Sequence, residues 1–163
     1  MPEKETIRKA RKDKREGKAP STQAGEFVHE EIEHIREGKH GARSTQQAIA
    51  IGLSKARRAG VKLPPPAVGR ASASTRKQAE HDLEKAASHS KPSPRRSRAV
   101  RGALKREGRS AASSTALSRQ ASSAADRRSA ASRSNAARKA ARTKGAAGRH
   151  RAALKAAETR AAH

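Results

Sequence analysis

The sequence predicts a mainly α protein: a small two-helix hairpin between long basic segments that are largely disordered or only conditionally helical. Three observations predict it. Nearly every large apolar residue lies within 21–63: Phe27, Val28, Ile32, Ile35, Ile49, Ile51, Leu53, Val61 and Leu63. Several of these recur at spacings of three and four, the period of one helical face. Elsewhere the chain is mostly Ala, Ser, Arg and Lys, with one Phe, no Tyr or Trp and a mean hydropathy of -1.02. Alanine buries little area against roughly 1–2 kcal/mol of backbone entropy per ordered residue, so a core is expected over the hairpin alone.

The elements follow in order. Residues 1–20 read as a charged, disordered arm ending at Pro20. The first hairpin helix opens at Ser21 or Thr22 as cap, with Glu26, Glu30 and Glu31 towards its N-terminal half, where the helix dipole favours acids. Val28, Ile32 and Ile35 form its apolar face, and Gly38 after Arg36 is its stop. The second helix opens at Ser44 with Gln47 three residues on, a capping-box pattern. Ile49, Leu53 and Ala56 continue its stripe, and Lys55, Arg57 and Arg58 suit the dipole before Gly60. Val61 and Leu63 are expected to fold back onto the pair. About 40 residues is near the limit for a stable lone core, so the hairpin is expected to be marginal or to be helped by forming a homodimer.

A Pro- and Ser-containing linker is expected over 64–96, opened by Pro64-Pro65-Pro66, and a basic Ala/Arg/Ser-rich tail over 97–163. Within the tail, 97–107, 111–143 and 149–162 have high helix propensity, but isolated helices are marginal until an anion relieves the repulsion between their arginines. Basic turns ending in glycine recur without a fixed period: Arg15-Glu16-Gly17, Arg58-Ala59-Gly60, Arg106-Glu107-Gly108 and Thr143-Lys144-Gly145.

Charge carries the functional reading. The chain has 39 Lys and Arg against 15 Asp and Glu, a net charge of +24. Such an excess seeks a polyanion. Residues 1–90 hold 19 bases and 12 acids, whereas 91–163 hold 20 bases and 3 acids, so the tail carries +17 of the total. Arg101, Lys105 and Arg109 repeat every four residues and would share a helical face, as would Arg138 with Arg142 and Arg151 with Lys155. Such stripes can follow phosphates and release counterions. The expected nucleic-acid contacts are Arg95, Arg96, Arg101, Lys105, Arg109, Arg138, Lys139 and Arg142. A single phosphate contact is expected at Lys39, Arg43 and Ser44, where a turn meets a helix N-terminus; a simple interhelical turn explains the same residues equally well. The tail lacks the aromatic platforms that bind single strands, so duplex DNA is the first partner and RNA the second. Phosphate contacts carry no base information, so binding should be weakly sequence-specific.

Catalysis is not expected. His29 and His34 are five apart, about 140° around a helix, rather than the four that a zinc protease motif needs. His40, His81, His89, His150 and His163 are scattered, so no metal or other cofactor is expected. The chain has no cysteine, which rules out disulfides and thiolate zinc sites and fits a reducing compartment. No stretch approaches the roughly 20 apolar residues of a membrane span, and the N-terminus lacks the apolar run of a secretory signal.

Residues 20–64 carry a resemblance, strongest over Arg36-Glu37-Gly38-Lys39-His40-Gly41-Ala42-Arg43-Ser44 and Gln47-Ala48-Ile49-Ala50-Ile51-Gly52-Leu53-Ser54-Lys55-Ala56-Arg57. This stretch resembles a small bacterial domain of unknown function whose members are often labelled plasmid stabilisation or DNA-binding proteins. The tail is similar in composition to the alanine- and lysine-rich ends of histone-like bacterial proteins. Ser93-Pro94-Arg95-Arg96 resembles the Ser-Pro-basic-basic turns of linker-histone tails. The resemblance implies a protein of the bacterial cytoplasm, associated with the nucleoid or a plasmid. The rival expectation is an interaction protein whose hairpin docks a protein partner while the tail binds RNA or acidic proteins.

Overall fold

A computed structural model describes residues 2–69, 71–88 and 93–161. Among these residues the structure consists of seven α-helices and one 3-10 turn: α1 (Lys4–Arg15), α2 (Pro20–Arg36), α3 (Thr45–Arg58), α4 (Ala73–Ser88), α5 (Pro94–Lys105), the 3-10 turn Ser110–Ala112, α6 (Ser114–Asp126) and α7 (Ala130–Ala161). The chain divides into two compact units, residues 1–120 and 121–163.

The hairpin is present as α2 and α3. Helix α2 starts a little earlier than its Ser21 or Thr22 cap implied, with Ala19 at the cap and Pro20 in the first turn, where its missing N–H costs nothing. Ser44 caps α3, its hydroxyl accepting from the Gln47 N–H at 3.2 Å. The Gln47 side chain accepts from the Arg43 N–H at 2.8 Å, one residue before the cap that a capping box would use. Three helices end alike. After α1, α2 and α3, Gly17, Gly38 and Gly60 adopt φ of 70°, 78° and 91°. The N–H of each glycine and of the residue after it turn back onto the last carbonyls, as Gly38 does to Ile35 and Lys39 to His34.

The flanking segments correct the expectation of disorder. Residues 4–15, expected as a loose arm, form α1, which lays Thr6, Ala10 and Asp13 inward. The 64–96 segment, expected as linker, contains α4, which packs on α3. The tail contains α5, α6 and α7. For α1 and α4 the physical reason is small-residue packing, with Ala10 and Ala79 buried, whereas α5, α6 and α7 bury no side chain and rest on the helix propensity of their alanines. Eight of the twelve buried apolar residues are alanines, and alanine lets helix axes approach closely while keeping high helix propensity.

Two clusters make the core. Ala10, Ala24, Phe27, Ala56 and Val61 join α1, α2, α3 and the turn after α3, with Ile7, Leu53 and Leu63 at the edge. Ile32, Ile35, Ala42, Ala48, Ala111 and Ala112 form the second, with Val28 and Leu117 alongside. The inward line of α3 is Thr45, Ala48, Gly52 and Ala56, and the expected Ile49 and Leu53 lie half-buried beside it. At Gly52 an added Cβ would stand 2.7 Å from Val28 Cα, so only glycine admits this approach of α2.

Backbone pairing brings residues 104–112 onto the hairpin turn. The Gly41 N–H donates to the Leu104 carbonyl at 2.9 Å and the Ala42 N–H to the Gly108 carbonyl at 3.0 Å. Thr45 Oγ1 donates to the Ala111 carbonyl at 2.7 Å, and Arg36 Nε to that of Ala112 at 3.0 Å. In α4, Asp82 is buried and accepts from Arg58 Nε at 2.8 Å and Gln78 Nε2 at 3.1 Å.

Residues 121–163 show no buried side chain among those described. Helix α7 is broken at Gly145, whose φ of 63° and ψ of 177° are not helical. This is the Thr143-Lys144-Gly145 motif acting as a stop.

Candidate nucleic-acid interface

Helix α5 carries Arg95, Arg96, Arg98, Arg101 and Lys105 and no acid. All five bases are exposed. At 100° per residue Arg95, Arg98, Arg101 and Lys105 fall within about 120° of one another. Arg98 belongs to this face although the four-residue spacing did not pick it out; its signal is the alternation of three and four.

Arg109 corrects the expected stripe. Helix α5 stops at Lys105 because the chain turns there to pair with the hairpin. Arg109 instead lies against the end of α2, its Nη1 donating to the Arg36 carbonyl at 3.5 Å. It joins Lys39 and Lys105 around one depression that also includes Glu37, Gly38 and Gly41. The fold thus gathers three bases named from distant parts of the sequence.

At the single-phosphate site of Lys39, Arg43 and Ser44, the Lys39 ammonium and the Ser44 hydroxyl are engaged internally, whereas the Arg43 side chain is exposed. The Ser44 hydroxyl and the Arg43 N–H serve the cap. Lys39 Nζ lies 2.9 Å from Glu37 Oε2 and 3.3 Å from Glu3 Oε1. The hydrogen bond to Glu37, followed by that to Glu3, raises the Lys39 pKa.

Helix α7 holds nine Lys and Arg, and Glu158 is its sole acid. Arg138, Lys139 and Arg142 lie before the Gly145 break and share one side; Arg151 and Lys155 lie after it. Every one of these bases is exposed, and among the described residues none is ion-paired to a carboxylate. Arg133 and Arg149 donate to the Ala125 and Ala141 carbonyls; at all nine an anion could approach without first displacing a carboxylate.

The acids concentrate elsewhere. Glu3, Glu30, Glu31 and Glu37 gather around His34, His40, Lys39 and Lys55. The Glu3 N–H donates to Glu30 Oε2 at 3.0 Å, pinning the start of α1 to α2. Hydrogen bonds from His34 first and Lys39 next hold the Glu3 carboxyl below its ordinary pKa. His34 and His40 meet edge to face with ring centroids 6.3 Å apart. The expectation that His40 lacks company came from counting along the chain; the glycine turn after α2 brings it back. His89 and His163 lie outside the described residues.

No described helix is long and apolar enough to cross a membrane. Residues 4–66 are similar to a family of unknown function, DUF6496; the match spans α1, α2 and α3. No curated protein and no solved structure matches the chain.

Proposed function

We propose that the protein is a nonenzymatic DNA-binding protein that holds duplex phosphates through exposed basic helices, with little regard for sequence. One observation carries the reading: α7 presents nine bases and one acid over 32 residues without burying a side chain. A helix that neither packs nor balances its charge has its free energy to gain from a polyanion, through release of condensed counterions. Helix α5 adds a second basic face of Arg95, Arg98, Arg101 and Lys105, with Arg96 beside it as a further contact. Residues 1–120 form the folded unit that includes α5. Association with the nucleoid or a plasmid in the bacterial cytoplasm follows from this reading.

The test is titration of labelled duplex DNA with the full chain across salt concentrations. With roughly six to ten phosphate contacts, affinity should fall on the order of a thousandfold or more between about 50 and 200 mM salt. Replacing Arg138, Lys139 and Arg142 together by alanine should reduce the logarithmic salt slope by about three and weaken every duplex alike. Negligible binding by the unaltered chain at about 150 mM salt would remove duplex DNA as the target, and a slope the triple variant leaves unchanged would remove α7 as the contact.

A further inference from the structure

We propose that Glu31, His34 and His40 form a binding site for a borderline divalent metal, zinc in first place. Each contributes one donor atom, and the three atoms lie within 4.8 Å of one another. Glu31 and His34 project from neighbouring turns of α2, and the Gly38 turn returns His40 to them.

The carboxylate is the centre of the case. Glu31 has no solvent exposure; its Oε2 is held by the Lys55 ammonium, and its Oε1 has no hydrogen-bond donor. A buried carboxylate in that condition is costly unless a cation is in contact. Lys55 Nζ stands 2.5 Å from Oε2 as an ion pair without hydrogen-bond geometry. That leaves Oε1, which faces His40 Nε2 at 3.3 Å.

The tautomer of His40 follows from its other nitrogen. Nδ1 lies 3.1 Å from the Gly41 carbonyl oxygen, which can only accept, so the proton of the neutral ring sits on Nδ1. Nε2 then offers a lone pair to a carboxylate oxygen, and two acceptors at that distance repel. A cation between them removes the conflict. In a tetrahedral zinc site with bonds of about 2.0–2.2 Å, neighbouring donors stand roughly 3.3–3.5 Å apart. The His40–Glu31 pair already has that edge.

The outer groups fit as well. Glu3 Oε1, 2.8 Å from His34 Nε2, anchors that ring, as outer carboxylates orient metal-bound imidazoles. The connected acids Glu3, Glu30, Glu31 and Glu37 outnumber the ammonium groups of Lys39 and Lys55, four to two. Two imidazoles and a carboxylate suit zinc, copper or nickel better than magnesium or calcium. The side chains of His34 and His40 are 13% and 15% exposed, which gives an ion a way in. Bound metal would clamp the 38–43 turn to α2, and that turn is what receives residues 104–112. Its role is structural, and it stands independently of the DNA reading.

The test uses the full chain, stripped with a chelator and titrated with zinc against a chromophoric competitor. One zinc per chain is expected, with a rise in melting temperature. His34→Ala, His40→Ala and Glu31→Gln should each weaken affinity tenfold or more, whereas His29→Ala, an exposed histidine on the same helix, should leave it unchanged. Failure of the unaltered chain to bind stoichiometrically, or a loss in His29→Ala equal to that in His40→Ala, overturns the site. Cobalt titration of the unaltered chain decides the matter even if the variants do not fold: intense visible bands of tetrahedral cobalt support the site, and their absence overturns it.

Discussion

Residues 1–120 and 121–163 are both helical, basic and rich in alanine, yet among the described residues every buried one belongs to the first. The first unit holds 13 of the 15 acids and a net charge of +15 from 28 bases; the second holds 11 bases and two acids, a net +9 in 43 residues. Helix propensity therefore does not separate them. What separates them is whether small residues line up opposite a partner. In α3 the Thr45, Ala48, Gly52 and Ala56 line meets α2, and acids on α2 pair with bases around it. In α7 alanines occur all round the helix, so no side is distinguished, and the bases between them meet no acid. The same residue type makes a core in one unit and a solvated rod in the other.

The contrast can be broken most severely at Phe27, which is 1% exposed. Phe27→Ala should cost about 3–5 kcal/mol, read as a lower urea midpoint for residues 1–120. Amide exchange in α7 should not change; if it does, the two units fold as one. Gly52→Ala tests the small-residue line directly. Its Cβ would press on the backbone of Val28, so the expected loss is about 1–3 kcal/mol, despite the better helix propensity of alanine. A neutral or stabilising result would mean that α2 and α3 do not approach closely.

In the second unit the signs reverse. Gly145→Ala meets open space, so the left-handed backbone loses its favoured residue and a continuous helix gains on the order of 1 kcal/mol. Spin labels at Asn135 and Lys155 should then report a separation near the roughly 30 Å of twenty helical residues. The smallest effect belongs to Leu154, which is 52% exposed. Leu154→Ala should alter stability by less than about 0.5 kcal/mol in the same urea assay.

Much of the hairpin was legible in the sequence because its punctuation is chemical. Ser44 as cap and Gly38 and Gly60 as stops are residues chosen by backbone geometry, and each acts where it was read. The inward line of α3 was misplaced by one position, since hydrophobic pattern favours Ile49 and Leu53 over the alanines that meet α2. Helix α1 was missed because its buried face is Thr6, Ala10 and Asp13, which has no apolar signature. The docking of 104–112 was missed because carbonyls make it, and carbonyls leave no mark on side-chain pattern. Of the basic contacts, exposure of Arg95, Arg138 and their neighbours could be read from the missing acids. The turn that carries Arg109 away from α5 could not.

The alanine–glycine line between α2 and α3 also has an evolutionary consequence. In an ordinary core, drift erodes stability by trimming side chains, and neighbours can later swell to fill the gap. Here there is almost nothing left to trim. Single-base changes in alanine and glycine codons lead mainly to larger or charged residues, so nearly every accessible step pushes the two helices apart. Compensation would have to come from across the contact, and at Gly52 what stands there is the α2 backbone at Phe27 and Val28, which no substitution can shrink. Ala48, Gly52 and Ala56 should therefore tolerate less change over time than Phe27, although none of the three would attract notice as a core residue.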